Sequence, residues 1–144
     1  KLAVDVDIDI PVQAFLPVDY VPELRHRIDI YRRLSRVSDI KDLDEMSDEL
    51  NDRFGRLPQP VQTLLQVAEL KIDAAIWFVK SLQVEEQYLV MTYTNRQRIE
   101  HLAKLHDRRL RIVDSQKAYW VTDTGRAGEP IDWIAQARQA LRSA

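Results

Sequence analysis

The chain has 144 residues, a formal net charge of −2 and no cysteine. That length suits one domain with a substantial core. The missing thiols exclude a disulfide framework and a thiolate metal site, and the near-neutral charge argues against a general nucleic-acid binder.

No apolar run approaches the ~18 residues of a membrane span, and no cationic-then-apolar leader precedes the first strand pattern. The start at Lys1 rather than Met leads us to expect a cytoplasmic segment cut from a longer protein. From Val4 to Ile10 apolar and acidic residues alternate, the period-two signature of a half-buried strand with its carboxylates in water. Pro11 stops it, because proline cannot donate to a ladder. A short extended piece is expected at Ala14–Leu16.

Pro22 suits the first turn of a helix. Leu24, Ile28, Tyr31, Leu34 and Val37 then recur at spacings of three and four, which predicts a helix with that stripe toward the core. Ser38 or Asp39 can cap the next helix, whose stripe is Ile40, Leu43, Met46, Leu50 and Phe54 and whose end is Gly55. After Pro58 and Pro60 comes the longest helix, with Val61, Leu64, Leu65, Ala68, Ile72, Ala75, Ile76 and Val79 on one face. Strands are predicted at Leu82–Val84 and Tyr88–Tyr93, and a helix capped by Asn95 carries Ile99, Leu102 and Ala103. Two further strands, Leu110–Val113 and Ala118–Thr122, join around Asp114-Ser115. A loop over Asp123–Pro130 leads to a last helix with Ile131, Ile134, Ala135 and Leu141. The predicted class is α+β: an N-terminal strand, three helices, then mixed short strands and helices, with residues 1–144 as a single domain.

Chemistry is sparse along this chain. Gly125-Arg126-Ala127-Gly128 precedes the last helix but lacks the lysine and Ser/Thr of a phosphate-binding loop. His101 and His106 are five apart, off the three-or-four spacing of helix ligands, and His26 stands alone. No serine sits in a nucleophile elbow. We therefore expect no catalytic residue, metal or cofactor in this segment. Charge is blocked: Arg25, Arg27, Arg32, Arg33 and Arg36 are followed by Asp39, Asp42, Asp44, Glu45, Asp48, Glu49 and Asp52. Such blocks speak to partner choice. Arg25, Arg32 and Arg36 fall on one helix side and could contact phosphates, so an accessory nucleic-acid-binding role is the alternative reading.

Two stretches resemble a known family. Phe15-Leu16-Pro17-Val18-Asp19-Tyr20-Val21-Pro22 leads into Arg27-Ile28-Asp29-Ile30-Tyr31-Arg32-Arg33-Leu34. Then Glu49-Leu50-Asn51-Asp52-Arg53-Phe54-Gly55, Leu57-Pro58, Leu64-Leu65, Val67-Ala68 and Leu70-Lys71 follow in order. These are similar to the C-terminal domain of bacterial transcription-repair coupling factors, which carries an ELIDRFGxLP-like segment before an apolar helix. Asn51 departs from that pattern, where an apolar residue is usual. The resemblance is closest over Phe15 to Lys71 and beyond Ser81 rests on element order.

It implies a regulatory domain of an ATP-driven DNA translocase that removes stalled RNA polymerase and recruits UvrA. ATP, magnesium and DNA would belong to upstream parts of the parent. The domain would dock on a UvrB-like domain of the same protein and mask the surface that UvrA uses. An acidic pair takes part in the family, and its matching positions here are Glu49 and Asp52. Both lie off the apolar stripe of their helix, so both are expected at the surface, where reversal costs little stability.

Overall fold

The computed structural model describes residues 5–123 and 129–142. Its elements run β1 (Asp7–Asp9), α1 (Leu24–Leu34), α2 (Ile40–Phe54), α3 (Gln59–Ile76), β2 (Val79–Glu85), β3 (Tyr88–Tyr93), α4 (Arg96–Leu105), β4 (Leu110–Ile112), β5 (Lys117–Val121) and α5 (Trp133–Leu141). The class is α+β, as the patterns predict. Val4 and the Gly125–Gly128 segment lie outside the described residues. The chain clusters into two compact units, one formed by Val12–Ile72 and the other by Asp5–Pro11 with residues 73 onward.

The first unit is helical. Asp39 rather than Ser38 caps α2, its Oδ1 accepting from Asp42 N at 2.8 Å. Leu43, Met46 and Leu50 recur along α2 and are buried. They join Leu16, Val21, Ile30, Val61, Leu65 and Ile72 in one core cluster. Gly55 ends α2 at φ 92°, ψ −170°, a backbone region almost closed to residues with a Cβ. Tyr20 folds over this turn, its hydroxyl donating to the Gly55 and Leu50 carbonyls at 2.8 and 3.1 Å. The extended piece expected at Ala14–Leu16 pairs with no strand of the sheet. Phe15 N instead donates once to Pro60 O at 3.2 Å.

The predicted stripe of α1 is corrected. Ile30 is the residue of this helix that is fully buried, with Leu34 and Val37 packed beside the core. Leu24, Ile28 and Tyr31 are 62%, 46% and 40% exposed. Periodicity finds the apolar sides of a helix but not which side a neighbour covers. Here the side carrying Ile30 and Leu34 is covered, and the side carrying Leu24, Ile28 and Tyr31 is left in solvent.

The second unit is built on a five-stranded sheet in the order β1-β2-β3-β5-β4. β1 pairs parallel to β2, while the other ladders are antiparallel. Val79, assigned by periodicity to the long helix, belongs to β2. The helix stops at Ile76, and Phe78 takes a left-handed φ of 56° before the strand begins. Asn95 caps α4 as expected, accepting from Arg98 N at 3.0 Å. Trp120 is fully buried in β5, and its Nε1 donates to Gln136 Oε1 at 3.0 Å. That same oxygen accepts from Arg109 Nη2 and Asp123 N, both at 3.2 Å. One α5 side chain thus accepts from three donors, of which the buried Trp120 Nε1 would be costly to leave unpaired.

Candidate docking surface

The functional candidates of the sequence fall on α1 and α2, except Arg36, which follows the end of α1. The basic block of α1 and the acidic block of α2 are locked together at one point. Arg33 Nη1 and Nη2 donate to Glu49 Oε2 and Oε1, each at 2.7 Å, a bidentate fork between the two helices. Arg53 Nη1, one turn along α2, donates to Glu49 Oε2 at 2.9 Å. Asp29 approaches Arg33 Nη1 at 3.8 Å. The Arg33 hydrogen bonds, helped by those of Arg53 and opposed by partial burial, hold the Glu49 carboxyl well below the carboxylate range, at about 2. The same Glu49 bonds raise Arg33.

Glu49 is therefore not the free surface carboxylate its position off the stripe suggests. It is half-buried, and both its oxygens are engaged. Asp52 is different: it is exposed and makes no ion pair among the described residues. Beside it on the outer side of α2 stand Asp44, Glu45 and Asp48, of which Asp44, Glu45 and Asp48 are all exposed. The structure thus separates the two matched positions, Glu49 as a brace between helices and Asp52 as an open negative charge. The Glu49–Arg53 spacing of four was readable in the sequence. Arg33, sixteen residues before Glu49 and on another helix, was not. An open cleft next to the fork is lined in part by Arg36, Val37, Glu45 and Met46.

The three arginines singled out, Arg25 and Arg32 in α1 and Arg36 beyond its C-terminal end, are exposed. Arg25 Nε donates to Glu23 Oε2 at 2.9 Å, a pair open to water on both sides. Arg32 and Arg36 make no ion pair among the described residues. The histidines are scattered, each against a different aromatic ring: His26 by Phe54, His101 by Trp77, His106 by Trp120. Among the described residues no three His, Cys, Asp or Glu side chains come together as a metal site, and no helix is long and apolar enough to cross a membrane.

Comparison with known proteins bears on what these helices serve. Residues 10–103 match the family model described as the TRCF domain. The chain is similar to a transcription-repair-coupling factor of Escherichia coli (strain K12), 24% identical over 94% of this chain and 12% of that protein. It is 46% identical to one of Mycobacterium bovis over 47% of this chain and 6% of that protein. It thus spans only about an eighth or less of these relatives. In fold it is similar to a crystal structure of the C-terminal domain of a transcription-repair coupling factor, with a TM-score of 0.74 and 19% identity over 98% of this chain and 94% of that one.

Proposed function

Since this chain belongs to the TRCF domain family, we propose that it is a protein-docking domain that restrains the transcription-repair coupling factor carrying it. In this reading the acidic outer side of α2 sits on a UvrB-like domain of the same protein and masks the surface used by UvrA. A covalent tether makes that docking efficient, because the second site is presented at a high effective concentration. ATP and magnesium are bound by a motor upstream, RNA polymerase and DNA are engaged by other parts, and this chain contributes contacts alone.

The observation that supports the reading is the division of labour on α2. Arg33 and Arg53 neutralise Glu49, and the Arg33 fork ties the helix to α1, while Asp52 stays exposed among Asp44, Glu45 and Asp48. A basic patch would be recognised by that side, and a like-charged one rejected at a cost of several kcal/mol. The test belongs in the full-length protein. Asp52→Lys is expected to raise affinity for UvrA in the absence of RNA polymerase, each ~1.4 kcal/mol of lost docking appearing as about tenfold. Since Asp52 is exposed, the thermal midpoint should stay within the small range of surface substitutions. Unchanged UvrA affinity with an intact fold would remove Asp52 from the docking surface.

A further inference from the structure

α1 carries a second apolar side that stays exposed among the described residues. Leu24, Ile28 and Tyr31 are spaced by four and three, so their side chains follow one another along one helix face. All three are exposed, Leu24 by 62%. Tyr31 is fixed in place, its hydroxyl accepting from Leu16 N at 2.8 Å, so the extended segment with the exposed Phe15 runs alongside. Next to this stripe around the helix come Arg25 and Arg32, with Arg36 just beyond the last turn. Scattered surface apolar residues need no explanation, but an aligned stripe flanked by cations marks an interaction site.

The chemistry narrows the occupant. Phosphates would satisfy the arginines and leave Leu24 and Ile28 against water, so nucleic acid fits only half of the surface. A second copy fits poorly in either arrangement. Packing α1 on α1 would set arginines against arginines, and packing α1 on α2 would set the stripe against a side whose exposed large apolar residue is Ile40 among carboxylates. We infer that the Leu24–Ile28–Tyr31 side of α1 is a docking surface for an acidic amphipathic helix of another protein, with apolar residues seated on the stripe and carboxylates toward Arg25, Arg32 and Arg36. This surface is separate from the Asp52 side of α2 and does not depend on the masking role proposed there.

The probe is a fluorescent synthetic helix with leucines on one face and glutamates flanking them, titrated into the whole chain and followed by anisotropy. A counterpart with lysine for glutamate and a labelled duplex DNA are run in parallel. Binding of the acidic helix, about tenfold weaker in Leu24→Asp or Ile28→Asp and weaker with added salt, is expected, whereas Arg25→Glu with Arg32→Glu weakens it and flattens the salt dependence. Both apolar positions are exposed, so these variants keep the fold, as their circular dichroism would verify. The inference is overturned by no binding, by equal binding of the lysine counterpart, or by acidic-helix binding indifferent to Leu24→Asp. It is also overturned if DNA binds tighter and ignores Leu24→Asp, which makes the surface a phosphate contact. Sedimentation showing a dimer that Leu24→Asp dissolves makes the occupant a second copy, with the same consequence.

Discussion

Glu49 is the residue on which the charge distribution of the first unit turns. Its carboxylate holds two guanidiniums, and its pKa of about 2 lies below the ordinary 4.5. A folded-state pKa lowered in this way contributes stability above pH 4.5, which is lost as the pH falls toward 2. The group is about a third exposed, so water screens the fork, and Glu49→Gln should cost about 1 kcal/mol near neutral pH. In urea titrations of both proteins, the gap should narrow below pH 4.5 and close near pH 2. A gap independent of pH would show that the carboxylate charge is not what matters. Glu49→Lys is a poorer test of docking than Asp52→Lys, because it places a third cation beside Arg33 and Arg53 and loosens α1 from α2.

Among the helices, α1 and α3 show how similar apolar patterns meet different fates. Leu65 in α3 is 9% exposed within the core cluster, and Leu24 in α1 is 62% exposed. Leu65→Ala should destabilise by roughly 2–5 kcal/mol through lost burial and a cavity. Leu24→Ala should change stability by no more than about 0.5 kcal/mol, since its side chain is in water in the folded and unfolded states alike. Denaturation midpoints of the pair decide between the observed rotation of α1 and the one its periodicity suggests. A large loss at Leu24 would restore the predicted stripe. The same helix explains why Arg25 and Arg32 cannot be judged by charge alone. Their neighbours on the surface are apolar side chains, which a reading of charge blocks overlooks.

Across the molecule, the three tryptophans, Trp77, Trp120 and Trp133, all belong to the sheet-containing unit, so their fluorescence reports that unit. His106 packs edge-on against Trp120 at 5.1 Å between ring centres. Burial pushes its pKa below 6.5, against the pull of backbone hydrogen bonds at Ala140 and Arg142. A histidine held neutral in the fold takes up its proton more readily when unfolded. Its contribution is complete above pH 6.5 and is lost as the pH falls below it. The urea midpoint read by tryptophan fluorescence should therefore drop as the pH is lowered through 6.5, and this slope should disappear in His106→Gln. A midpoint flat over that range in the native chain would contradict the assignment. The local features of the fold were legible beforehand because they depend on residues a few positions apart. The α2 stripe of Leu43, Met46 and Leu50, a cap at Ser38 or Asp39, the Asn95 cap and the Gly55 stop are of this kind, and Leu50 and Gly55 fall within the segment that carries the resemblance. Tertiary structure alone decided which side of α1 is covered, that Arg33 reaches Glu49, that β1 pairs parallel to β2, and that Gln136 serves Trp120. Each of these joins distant parts of the chain, and its energy depends on what the fold places opposite, which no short-range pattern encodes.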